Sequence, residues 1–253
     1  MNKKRGQVTI FVIIGIVVVV LGVLIYLFYP RISTTLGFGE ESPSSFIQNC
    51  IEDEIKTNVD LLSNQGGSLS PSHYIIYNNE KIEYLCYTSE YYVTCVMQQP
   101  MLQEHIESEI QKGIKKESAD CFAELEDSYK KKGYTVNLNS GNTTVELLPN
   151  RILTTFNKEL TLTNGEAKTY DSFKVVVNNN LYELIGIANS ILNWEARYGD
   201  AETTTYMNYY HDLQVQKKKQ TDGSTIYIIK ELNTGDKFQF ASRSVAWPPG
   251  YGA

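Results

Sequence analysis

Apolar and polar positions along this chain follow two periods, and one stretch has no polar position with a charge at all. From Val8 to Tyr29 runs VTIFVIIGIVVVVLGVLIYLFY, 22 residues without a charged side chain. At about 1.5 Å per residue such a run covers the roughly 30 Å hydrocarbon core of a bilayer. In lipid an unpaired backbone enforces a helix even on Ile and Val. The expectation is a transmembrane helix over 8–29, with Tyr26 and Tyr29 at the far interface and Pro30 as its stop. Lys3, Lys4 and Arg5 mark 1–7 as a basic cytoplasmic tail, which puts everything after the helix outside. The run is too long for a cleaved secretory signal, and no small-x-small site follows it.

Residues 30–44 have no period and read as a linker. Ser45 and Gln48 then form an S-x-x-Q capping box. Ile47, Cys50, Ile51, Ile55, Val59 and Leu62 extend a helical stripe to Asn64, closed by Gly66-Gly67. Three short β-branched or aromatic runs follow, His73–Tyr77, Ile82–Tyr87 and Tyr91–Val96, and predict a β-meander. A second helix is expected from Pro100 to Lys132, on the stripe Leu102, Ile106, Ile110, Ile114, Cys121, Phe122, Leu125 and Tyr129.

Beyond Gly133 the period shortens to two. Strands are expected at Tyr134–Leu138, Thr143–Leu147, Ile152–Thr163, Ser172–Val177, Leu213–Gln216, Ser224–Leu232 and Lys237–Ala241. Between them, Leu181 to Tyr198 is helical, with Leu181, Leu184, Ile185, Ala188, Ile191, Leu192 and Glu195 on one side. A short helix is expected over Thr205–His211, and the terminal WPPGYGA is irregular. Grouped helices and consecutive strands imply an α+β fold with antiparallel sheet. The expected organisation is thus the helix 8–29, the linker, and an extracytoplasmic region made of 45–132 and 133–253.

Charge narrows the partners. The net charge is -6. Removing the three basic residues of the tail leaves 20 basic against 29 acidic, or -9 for the rest. Nucleic acid needs a dense basic face, so it is not an expected partner. The bilayer, through residues 8–29, is. Self-assembly or other envelope proteins are the remaining expected partners.

Four cysteines, Cys50, Cys86, Cys95 and Cys121, suit an oxidising compartment. Cys86 and Cys95 flank a hairpin, while Cys50 and Cys121 lie on the apolar faces of the two early helices. That placement favours the pairs 50–121 and 86–95, one of three connectivities open to four cysteines. The spacing is not that of a zinc site, and no metal or other cofactor is implied.

Catalytic motifs are missing: there is no G-x-S-x-G, S-x-x-K, H-E-x-x-H, P-loop or dinucleotide fingerprint. The histidines are His73, His105 and His211, of which His211-Asp212, after Tyr209-Tyr210, is the densest cluster. Glu124, Glu126 and Asp127 share a helix with lysines and read as a solvated face. Asn142-Thr143-Thr144 is a glycosylation sequon in an expected turn. Tyrosine is abundant, with 18 residues against nine phenylalanines. Tyr91-Tyr92 and Tyr206/Tyr209/Tyr210 form clusters of the kind that bind partners, glycans or neighbouring subunits.

The junction Lys3-Lys4-Arg5-Gly6-Gln7, followed directly by the apolar run, resembles the class III signal of archaeal type IV pilin-like membrane proteins. The resemblance implies cleavage after Gly6, with Gln7 as the first mature residue and the helix retained. Thr9 fits the pattern; Phe11 departs from it, since many pilins carry glutamate there. The Cys-bearing helix ending in Gln65-Gly66-Gly67 is similar to uncharacterised membrane proteins of small-genome archaea. Together these features lead to a non-enzymatic expectation: a single-pass, membrane-anchored, cell-surface structural or interaction protein, pilin-like in its N-terminal segment. A tethered ligand-binding module using the tyrosines and an extracytoplasmic hydrolase are the alternatives.

Overall fold

The computed structural model describes residues 13, 15–20 and 42–246. The chain forms two compact units, one ending at Ser45 and one beginning at Phe46. The expectation of a transmembrane helix over 8–29 is corrected: among the described residues no helix is long and apolar enough to cross a membrane. Of that run residues 13 and 15–20 are described, and they are helical. The rest of the run lies outside the described residues, as do Gly6, Gln7 and the WPPGYGA tail. The longer helices of the second unit carry charges along their length, such as Glu52, Asp53, Glu54, Lys56 and Asp60.

Helix α1 spans Pro43–Gln65. It starts ahead of the expected capping box. Ser42 Oγ accepts the N–H of Ser45 at 3.1 Å, and Pro43 fills the first helical position, where its missing N–H costs nothing. Strands β1 (Tyr74–Tyr77) and β2 (Glu80–Tyr87) form a hairpin whose two turn residues, Asn78 and Asn79, have φ of 50° and 66°. The third strand of the expected meander is cut to Val96–Met97, β3. Most of 91–96 is instead a turn with Tyr92 at φ 64°, its N–H bonded to Val245 O at 2.6 Å.

The helix expected over 100–132 is two, α2 (Leu102–Gly113) and α3 (Lys115–Lys131). The two are separated by Ile114 alone, and the bonds Ile114 N to Ile110 O and Ser118 N to Ile114 O continue across it. A Cβ on Gly113 would sit 1.9 Å from Asn58 Oδ1, so a larger residue there requires the Asn58 side chain to shift. The apolar stripe survives the break: Ile110, Ile114 and Cys121 are all buried.

Six strands follow: β4 (Thr135–Leu138), β5 (Thr143–Leu148), β6 (Arg151–Phe156), β7 (Leu160–Asn164), β8 (Glu166–Tyr170) and β9 (Phe173–Asn178). The single run expected over 152–163 divides after Phe156 into β6, paired with β5 and β9, and β7, paired with β4 and β8. The unexpected β8 has no buried face and is held by its backbone pairing to β7. Helix α4 (Leu181–Tyr198) matches its expected bounds. Helix α5 (Thr204–Tyr209) and strands β10 (Leu213–Lys219), β11 (Ser224–Glu231) and β12 (Lys237–Arg243) complete the described chain.

The strands make one large sheet, β1-β2-β12-β11-β10 with β3 on β2, and two small ones, β4-β7-β8 and β5-β6-β9. Antiparallel pairing dominates, as the hairpin signals imply. The exception is β12 on β2, which is parallel, with a register shift between Ala241 and Ser242. One core runs through helices and sheets, from Ile47 on α1 to Phe240 on β12, and includes residues on both sides of position 132. Gln48 ties α1 to the edge of β9. Its amide donates to Val176 O and accepts from Val176 N, each at 3.1 Å, as a neighbouring strand would.

Both disulfides join the expected pairs, Cys50–Cys121 between α1 and α3 and Cys86–Cys95 across the hairpin. Their sequence separations are 71 and 9 residues. Loop entropy in the unfolded chain then favours the longer bridge, at roughly 4 against roughly 3 kcal/mol. Replacing Cys50 and Cys121 by serine should therefore lower the urea-unfolding free energy more than replacing Cys86 and Cys95. Equal losses from the two double variants would count against this entropic account.

Candidate functional site

The start of α4 is held from the far end of the large sheet. Asp236, in the β11–β12 turn, accepts the N–H of Asn180 at 2.9 Å and the amide of Asn179 at 3.0 Å. Glu183 in the first helical turn accepts the N–H of Asn150, in the β5–β6 turn, at 3.0 Å. An acid at that position also suits the positive end of the helix dipole. These bonds fix α4 against two different hairpins. The residues after α5 are fixed by backbone bonds, Leu213 N to Tyr210 O at 3.0 Å and Leu232 N to Asp212 O at 2.7 Å.

Between these elements lies a cavity of about 850 Å³. Leu184, Ile187 and Leu213 supply apolar wall, and Tyr206, Tyr209, Tyr210 and His211 come from α5 and the turn after it. Tyr206 is fixed by a 2.7 Å hydrogen bond between its hydroxyl and Ser190 Oγ. Tyr209 and Tyr210 are exposed, 79% and 58% respectively. Gly186, in the middle of α4, also lines the cavity, and a Cβ built there meets nothing within 4 Å. Glycine inside a helix costs about 1 kcal/mol relative to alanine. No packing in this fold demands it, so the missing side chain leaves open space.

Three acids line the cavity, Glu183, Asp212 and Glu231, and no lysine or arginine does. Glu183 and Glu231 each use one oxygen on a backbone N–H, of Asn150 and of Asn233 at 3.1 Å. The second oxygen of each is shielded from solvent and has no hydrogen-bond partner. Among the described residues, no group of three or more His, Cys, Asp or Glu is placed to hold a metal ion.

One helical face over, Glu195 is the most buried acid, only 2% exposed. It accepts hydrogen bonds from Tyr227 Oη, from Ala201 N at 3.1 Å and from Ser242 Oγ at 3.0 Å. Burial pushes its pKa above the usual carboxylate range against the pull of these donors and of Lys217. Burial, and then the charge of Glu195, pushes the Tyr227 phenol up, so it remains a donor. The backbone carbonyl of Glu195 accepts from Ser244 Oγ at 3.2 Å, and Ser244 Oγ in turn accepts the N–H of Cys95 at 3.1 Å.

The structure separates the other expected site residues. Tyr91 and Tyr92 are exposed on the β2–β3 turn beside Arg243 and Val245, away from the cavity lining. His73 packs its ring against Tyr84 and Tyr87. Glu126 pairs with Lys130 at 2.7 Å on α3, and Glu124 and Asp127 lie beside Lys131 and Lys132. Asn142 is exposed in the turn before β5, bonded to the Asn157 amide at 3.1 Å. His105 Nε2 lies 2.9 Å from Ser68 Oγ, which donates to Glu83. That chain was not signalled by any local motif. Its serine is buried and gives its proton to the carboxylate, an order that joins the Gly66-Gly67 loop to α2 and β2 and leaves no histidine acting as base toward serine.

Glu195 yields a pH prediction with a definite sign. An acid whose folded pKa is raised stabilises the fold fully below its unfolded value, near 4.5, and this contribution is lost as pH rises through the folded value. Glu195→Gln should therefore compare least well with the natural chain in acid and gain on it toward neutrality. Urea midpoints measured from about pH 4 to about pH 8 give the curve, and a constant offset between the two proteins would refute the assignment.

No family model, no curated protein and no solved structure matches the chain.

Proposed function

We propose that the chain from Phe46 onward is a ligand-binding module of an extracytoplasmic compartment, with the cavity between α4, α5 and the end of β11 as its binding site. The observation that carries this reading is the cavity itself: about 850 Å³, bordered by Tyr206, Tyr209 and Tyr210 and left open at Gly186. That volume is in the range of small-molecule sites, which are concave, largely apolar and supplied with a few placed polar groups. Tyrosines offer contact area and a hydroxyl at low entropic cost. The two disulfides support an oxidising location. A binding role is preferred to hydrolysis because the acids at the site are not accompanied by a nucleophile–base pair.

The test is chemical-shift mapping on the isotopically labelled chain. The probes are a panel of monosaccharides, disaccharides, amino acids and aliphatic amines. At least one should perturb resonances of Ser190, Tyr206 and Leu213 together. Gly186→Trp, which places an indole in open space, should remove those perturbations while the unfolding free energy stays within about 1 kcal/mol of that of the natural chain. A panel without a binder, or a binder indifferent to Gly186→Trp, would sink the proposal.

A further inference from the structure

The electrostatics of the cavity narrow its ligand further. It contains Glu183, Asp212 and Glu231, and its lining has no lysine or arginine to balance them. In a protein with 23 basic residues that imbalance is a property of the place. Glu183 and Glu231 are also poorly compensated where they stand. Each has one neutral N–H donor, and each has an Oε2 atom shielded from solvent and without a hydrogen bond. A carboxylate partly stripped of water and without a counter-charge is in an unfavourable state that a nearby cation relieves. Coulomb attraction acts across several ångströms in such a site, so a cation need not displace the existing N–H bonds.

The tyrosines add to the same preference, because aromatic ring faces attract cations. The wall is not wholly polar. Leu184, Ile187 and Leu213 line it together with Gly186. A hydrated metal ion gains nothing from apolar wall, and the donor grouping for one is lacking among the described residues. An anion is repelled by three acids, and a neutral sugar leaves their charge uncompensated. The chemistry that meets every surface is an ammonium group on an aliphatic stem.

Resting on the reading of this cavity as a binding site, we infer that its ligand is an aliphatic primary ammonium, from a free diamine or from a lysine side chain of a partner. Glu183 and Glu231 attract the charge, and Leu184, Ile187 and the Gly186 gap receive the stem. The acids bind through charge and are not catalytic residues.

The experiment uses 1,5-diaminopentane, 1-pentanol, cellobiose and Nα-acetyl-lysine amide as probes, with chemical-shift mapping and calorimetry on the natural chain. Expected is binding of the diamine or the lysine amide at Ser190, Tyr206 and Leu213, with pentanol at least about tenfold weaker. Binding should weaken several-fold on raising salt. Binding of both amines identifies the free ammonium group as sufficient, and binding of the lysine amide alone identifies a protein side chain as the source. Glu183→Gln/Glu231→Gln keeps a carbonyl oxygen for the Asn150 and Asn233 N–H groups, and it should cost the amine at least about tenfold in affinity. An unchanged melting profile of this variant separates lost affinity from lost fold. Cellobiose binding at the cavity without amine binding would overturn the ammonium inference and leave the binding role intact. Amine binding unaffected by the double variant, or by Gly186→Trp, would mean adsorption elsewhere and overturn it as well. Silence from every probe would overturn both.

Discussion

A single buried carboxylate sets where helix α4 lies, and most of what is distinctive about this fold depends on that helix. Glu195 reaches Tyr227 on β11, Ser242 on β12 and the backbone of Ala201. Through its carbonyl and Ser244 it is joined to Cys95 on the disulfide-closed hairpin. An isolated charge at this depth would be strongly unfavourable, so the three donors are the condition on which the helix is accepted into the core. Once the C-terminal part of α4 is locked to the centre of the large sheet, its N-terminal part is locked by Asp236 to the sheet's turn. The cavity opens along the intervening turns, where Glu183, Gly186, Ile187 and Ser190 point away from both anchors.

The same helix illustrates how much could be read directly. Its bounds were legible because seven positions at helical spacing, Glu195 among them, form one side. That Glu195 shared a stripe with Leu and Ile was the signal of a buried acid, although its side-chain donors, Tyr227 and Ser242, lie 32 and 47 residues away and leave no local trace. Cysteine pairing was legible for a similar reason: both helical cysteines stood on apolar stripes. The capping box at Ser45 and the uninterrupted helix over 100–132 were not fulfilled. Proline at 43 decided the first point, and the second is a one-residue turn at Ile114 within the same buried stripe. Strand β8 was invisible because it has no buried apolar face to give a period of two.

The candidate site was half legible. Tyr206, Tyr209, Tyr210, His211 and Asp212 stood out as one cluster, and they do border one cavity. Their partners did not, because Glu183, Glu231 and Asn150 come from three separate elements brought together by the sheet and its turns. Tyr91-Tyr92 had the same composition as the second cluster yet occupies another surface. Sequence clustering thus drew attention to two groups of tyrosines, while chain topology decided which of them face a cavity.

The parallel pairing of β12 with β2 has a consequence for the order in which this molecule is made. Ala241 stands opposite Tyr84, and Ser242 opposite Cys86, so the centre of the large sheet joins segments more than 150 residues apart. Such distant closure is entropically costly and slow compared with the hairpins on either side. As the chain emerges, hairpin β1–β2 must wait with one edge unpaired until β12, more than 150 residues later, has been synthesised. The domain is therefore among those that finish folding late, and its unpaired edge is the part most in need of protection in the interval.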